Sequence, residues 1–122
     1  MESPPAKDIV FMGESLDALS SFPVEVKREI GFALRQAQNG ETHVNAKPLA
    51  QFSVMEIVSD YDGNTFRGVY TVKLKDKIYV LHCFQKKAKK GKATTKRDLD
   101  LIERRLKQAK RLATQGQLEC QK

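Results

Sequence analysis

Three β-prone runs separated by turn-forming residues fill the middle of the chain and leave little freedom in how it folds. Val54–Asp60, Thr65–Leu74 and Ile78–Phe84 are rich in Val, Ile, Tyr, Phe and Thr. Asp62-Gly63 separates the first pair and Lys75-Asp76-Lys77 the second, both short enough for hairpins. An antiparallel meander follows. On its central strand Phe66, Gly68, Tyr70, Val72 and Leu74 share one face, and Arg67, Val69, Thr71 and Lys73 share the other. On the last strand, alternation places His82 with Phe84 and Ile78.

The flanks read differently. Asp8-Ile9-Val10-Phe11-Met12, ended by Gly13, is a short apolar run that supplies a possible fourth strand. Glu14 to Ser20 suits one or two helical turns, and Pro23 suits the first turn of a longer helix. Val26, Ile30, Ala33, Leu34 and Ala37 then recur at helical spacing, and Asn39-Gly40 is a fitting stop. Residues 41–53 contain Pro48 and no sustained period, and read as a connecting loop. After the meander, Thr95-Lys96-Arg97-Asp98 has the spacing of a capping box. Leu99, Ile102, Leu106, Ala109 and Ala113 continue as an apolar stripe, with Gly116 as the expected end. The order β-α-α-β-β-β-α predicts an α+β fold in a single domain over 1–122, with 1–7 and 114–122 flexible.

Size bounds the answer. At 122 residues and 40% hydrophobic content, the chain can bury one core. It has no 18-residue apolar stretch, so no membrane partner is expected. Met1-Glu2-Ser3-Pro4-Pro5 lacks the pattern of a secretory signal, and Cys83 and Cys120 show no paired or metal-ligand spacing. Both read as free thiols, and the expected location is cytoplasmic.

Charge is more informative than size. The chain has a formal net charge of +7, yet the excess is concentrated. Between Lys86 and Arg111 stand 12 basic and three acidic residues, an excess of nine, while the rest of the chain nets −2. A near-neutral body with one basic segment points to a localised polyanion site. A solvated helix face is the bland alternative.

The candidates for chemistry cluster at the end of the last strand. Phe84-Gln85-Lys86-Lys87-Ala88-Lys89-Lys90-Gly91-Lys92 forms a basic rim that would attract phosphates. Arg67 on the central strand pairs near Val58 on one side and Phe84 to Lys86 on the other. An arginine there needs a carboxylate or an anionic ligand beside it, and Glu56 is the nearest strand carboxylate. His82 is either a core histidine or a near-neutral proton carrier beside the basic cluster. A lysine whose pKa is depressed by cationic neighbours would serve as a base. No Gly-rich phosphate loop and no metal-ligand cluster is present in the sequence, so no metal or cofactor is expected. RNA cleavage needs neither. The 2′-OH is an internal nucleophile, and the protein has to align it, shift protons and stabilise charge on the phosphorane oxygens.

Several short motifs together resemble a known family. Lys47-Pro48-Leu49, Met55-Glu56-Ile57, Asp62-Gly63-Asn64, Phe66-Arg67, Leu81-His82-Cys83-Phe84 and Lys86-Lys87, followed by an amphipathic helix, are similar to the phage-derived HigB-like toxins of the RelE/ParE superfamily. The resemblance runs from about Ile9 to Leu112. It implies a RelE-like domain with N-terminal helices, a three- to four-stranded antiparallel sheet and a C-terminal helix. It further implies an endonuclease acting on ribosome-bound mRNA and neutralised by a helix-turn-helix antitoxin. By the same resemblance Arg67, Lys86, Lys87 and His82 are the catalytic candidates. Lys47, Lys89, Lys90, Lys92, Arg104, Arg105, Lys107 and Arg111 make up the expected RNA-binding surface. Two departures stand out: Val58 where members commonly have arginine, and Thr94-Thr95 where they have Thr-Pro. Two other functions fit the same residues, a ParE-like inhibitor of a protein target such as DNA gyrase and a non-catalytic RNA- or ribosome-binding module.

Overall fold

The tight turn at Asp62-Gly63 organises the sheet. Both residues take left-handed backbone angles, φ 52° and 78°, which matches the twist of a two-residue hairpin. Strands β3 (Val54–Tyr61) and β4 (Asn64–Tyr70) pair across it from Tyr61↔Asn64 to Met55↔Tyr70. In the computed structural model, which describes residues 7–49, 51–74, 77–86 and 94–120 (side chains to 114), β5 (Lys77–Lys86) then lies antiparallel to β4.

The sheet is larger than the meander alone. It has five strands in the order β1-β5-β4-β3-β2 and is mixed rather than purely antiparallel. Strand β1 (Asp8–Phe11) adds parallel to β5 through Asp8↔Lys77 to Phe11↔Val80. Strand β2 (Ala46–Leu49) occupies part of the expected 41–53 loop and pairs antiparallel with β3. Pro48 hid it, because proline lacks an N–H and belongs only on a sheet edge, which is where β2 sits.

Helices cover both faces. Helix α1 (Ser15–Ser20) and helix α2 (Val24–Gln38) lie on one side, where Val26, Ile30, Ala33, Leu34 and Ala37 pack against Ile57, Phe66, Tyr70, Ile78, Val80 and Cys83. Burial pushes the Cys83 thiol pKa up to about 12, so it stays protonated and inert. The stop at Asn39-Gly40 is a Schellman motif. Gly40 (φ 80°) donates to Ala37 O at 3.1 Å, and Glu41 donates to Gln36 O at 2.7 Å. Of the stretch 1–7 expected to fray, Lys7 is described, and it is tied to the end of α2 by bonds to and from Gln38.

Helix α3 (Lys96–Cys120) packs on the opposite face, burying Ile102, Leu106 and Ala109 against Val54, Val69, Tyr79 and Leu81. It continues through Gly116 rather than ending there. One internal glycine costs only about 1 kcal/mol relative to alanine, and its glutamine and leucine neighbours favour helix. Among the described residues no helix is long and apolar enough to cross a membrane.

A bulge breaks the expected alternation. The register steps from Val69↔His82 to Tyr70↔Val80, leaving Leu81 without a partner on β4. Strand β4 accordingly ends at Tyr70 instead of Leu74, and Leu74 packs on the α3 side. On β5, Ile78 and Val80 face α2, whereas Leu81 and Phe84 lie on the α3 side. His82, stacked on Phe84 and bonded to Asp98 of α3, is therefore on the face opposite Ile78, contrary to strict alternation.

Candidate functional site

The site is built on the α3 side of the sheet, in adjacent cross-strand rows. One row runs Lys47, Glu56, Val69, His82 across β2 to β5. The next contains Val58, Arg67 and Phe84, and the third contains Asp60, Thr65 and Lys86. The expected pairing of Arg67 with Val58 and with Phe84 is what the register shows. Side chains from three strands thus meet beside the start of α3.

Arg67 has the carboxylate neighbour its position requires. Its Nη1 donates to Glu56 Oε1 at 3.0 Å, and Glu56 Oε2 accepts from Thr94 Oγ1 at 3.2 Å. The two side chains are only 13% and 9% exposed, so removing either partner would strand the other's charge away from water. Half-buried Val58, where a basic side chain was expected from the resemblance, lies directly across from Arg67 and brings no charge there.

His82 stacks on Phe84 with ring centroids 4.5 Å apart, and its Nε2 lies 2.8 Å from Asp98 Oδ1. Burial lowers its pKa below the usual histidine value, the Asp98 hydrogen bond and charge oppose this, and Arg105 adds to the lowering. The ring is therefore neutral at pH 7. Lys86 also has a lowered pKa, first from desolvation and then from the Arg67 guanidinium, against the raising pull of Glu56 and Asp98. That direction matches the depressed lysine expected beside cations, although desolvation leads.

Other expected residues divide. Lys87, Lys89, Lys90 and Lys92 lie outside the described residues. Lys47 is exposed on the edge strand and lines a shallow depression with Val58, Asn45 and Asp60. Arg104 and Arg111 are exposed on α3. Lys107 is 3.8 Å from Glu103 and lines a cleft of about 400 Å³ with Lys73, Lys110, Phe52, Leu74 and Leu106. Arg105 does not belong to the exposed set. It is half-buried, donates through Nη1 to Leu81 O at 2.8 Å, and lies against Gly13. It clamps the residue that the bulge leaves without a partner on β4.

Asp98 and Thr94 are members that sequence reasoning does not place at the site: Asp98 reads there only as part of a capping box, and Thr94 only as part of the Thr94-Thr95 that departs from the family's Thr-Pro. The signal for Asp98 was present: a carboxylate at the third position of a capping box sits in the first helical turn. Among the described residues no group of three or more His, Cys, Asp or Glu could hold a metal.

The arrangement defines a class. It is an α+β domain with two helices on one face of a sheet, one on the other, and a cluster of Arg67, Lys86, His82, Glu56 and Asp98 on the second face. The sequence profile of the family described as phage derived protein Gp49-like (DUF891) matches residues 17–107. The chain belongs to this Gp49-like family, a family of RelE/HigB-like toxins. No curated protein and no solved structure gives a significant match.

Proposed function

We propose that the chain is the HigB-like toxin of a toxin–antitoxin pair and cleaves mRNA, on the ribosome, without a metal. The observation that carries this reading is the meeting of Arg67, His82 and Lys86 on one sheet face. Attack by a 2′-OH needs charge stabilisation on the phosphorane and one group to move a proton. Arg67 and Lys86 supply the first, and neutral His82 is suited to the second. Lys86, with its lowered pKa, and Lys87 share base and electrostatic roles. Lys47, Arg104, Lys107 and Arg111, with Lys89, Lys90 and Lys92 of the basic sequence between β5 and α3, steer and hold the strand. The partners in this reading are ribosome-bound mRNA and a helix-turn-helix antitoxin, in the cytoplasm.

The Arg67–Glu56 pair favours a second reading. An arginine already matched by a carboxylate has less charge to offer a phosphate, which suits a module that binds RNA or the ribosome and cuts nothing. Primer extension on mRNA in a translating extract separates these. Cuts that vanish with Arg67→Ala plus Lys86→Ala support cleavage. Intact message with arrested translation supports binding alone, and blocked DNA supercoiling points to a ParE-like inhibitor of gyrase.

A further inference from the structure

The carboxylate of Asp98 is not used as a capping box normally uses it. In that motif the acidic side chain reaches back to the backbone N–H of the cap residue. Here the backbone half is made, with Asp98 N donating to Thr95 Oγ1 at 3.2 Å. The carboxylate instead accepts from the Thr95 hydroxyl through Oδ2 at 2.8 Å and turns Oδ1 to His82 Nε2 at 2.8 Å. Aspartate is one methylene shorter than glutamate, so its oxygens are held close to the threonine side chain.

His82 is aimed from the other side by separate constraints. The unpartnered Leu81 accompanies its placement on the α3 face, and Arg105 clamps the Leu81 carbonyl at 2.8 Å. Phe84 stacks on the ring at an interplanar angle of 17°. Asp98 and Arg105 approach from α3, while on the same face Glu56 lies in the row of His82 and Arg67 and Lys86 lie in the two rows beyond it. Among the described residues none hydrogen-bonds the Nδ1 of His82.

We propose that Asp98 is a positioning residue for His82, fixed by Thr95, which holds the Nε2 proton and leaves Nδ1 as the nitrogen that takes and returns a proton. A carboxylate accepts only, so neutral His82 must carry its hydrogen on Nε2, with the lone pair on Nδ1. The start of α3 is then a working part of the site rather than a fastening. The inference rests on the reading that His82 transfers a proton.

The test has two arms. Long-range proton–nitrogen NMR on the full chain reports the His82 tautomer, with the Nε2–H form expected in the wild type. Asp98→Asn should mix the tautomers, and Thr95→Val should do so in part. In single-turnover cleavage of an oligoribonucleotide, Asp98→Asn should lower the maximal rate at least tenfold with KM within twofold. It should also move the acid limb of the pH profile to lower pH, and Asp98→Glu should restore part of both. An Nδ1–H ring in the wild type overturns the proposal. So does an Asp98→Asn variant that loses stability but keeps tautomer and pH profile. A wild type that cuts nothing overturns the cleavage reading, while the tautomer still tests the Asp98 arrangement separately.

Discussion

Glu56 and Arg67 face each other diagonally across β3 and β4 at 3.0 Å, nearly closed off from water, in the row arrangement that also carries His82 and Lys86. Removing one partner of such a pair strands the other's charge. Glu56→Ala should therefore destabilise the fold by about 3–5 kcal/mol, whereas Glu56→Met with Arg67→Met should cost far less. Urea unfolding of the two variants checks this. Equal losses would mean that solvent already screens the pair.

Acid should loosen the fold through His82. Its folded pKa lies below the ordinary value of 6.5, so between the two values the unfolded chain binds more protons. Stability contributed by the neutral ring is present above 6.5 and is lost as pH falls from there toward the folded pKa. A series of melting temperatures from pH 7.5 to 5 should fall over that window in the wild type. The same series for His82→Phe should be flatter, and an unchanged slope would assign the loss to other groups.

The basic face of α3 should split into two kinds of residue. Arg104→Ala should weaken RNA binding and reduce the salt slope by about 0.7, the expectation for one lost contact to a single strand, with stability unchanged. Arg105→Ala should instead destabilise by about 1.5–3 kcal/mol, because it removes the charged bond to Leu81 O. Filter binding at several salt concentrations, paired with denaturation, separates the two.

Gly13 and Arg105 should behave as one unit. Gly13 has φ 53°, and a Cβ there would come within 2.6 Å of the Arg105 guanidinium carbon. Gly13→Ala should cost about 1–2 kcal/mol from the left-handed backbone alone, plus the displaced arginine. In a double-mutant cycle, Gly13→Ala should cost less in the Arg105→Ala background. Strict additivity would show that the arginine moves aside freely.

Gly68 is a packing position. An added Cβ would sit 3.2 Å from Ile57 Cγ2 and 3.4 Å from Ile30 Cγ2, between the sheet and α2. Gly68→Ala should destabilise by about 1–3 kcal/mol by overpacking, and Gly68→Ala with Ile57→Val should recover part of the loss. Thermal denaturation of both variants decides it.

Local pattern alone reveals a good part of this molecule. The stripe Val26, Ile30, Ala33, Leu34, Ala37 announces α2, because a helix repeats its buried face every three or four residues. Asp62-Gly63 determines the β3–β4 turn, and with it the pairing of Val58 with Arg67, since a two-residue loop leaves one register. The concentration of charge from Lys86 to Arg111 is likewise a property of sequence. Other features depend on partners distant in the chain. The parallel seat of β1 on β5 and the edge position of β2 are set by sheet neighbours that no local period encodes. The bulge at Leu81 turns His82 from the side of Ile78 to that of α3, and strict alternation cannot register one extra residue. Sequence supplied the arginine, the histidine, the lysine and the capping aspartate separately. Only the folded sheet and the helix laid across it joined them, because side chains 16 residues apart, such as His82 and Asp98, meet only once α3 has packed.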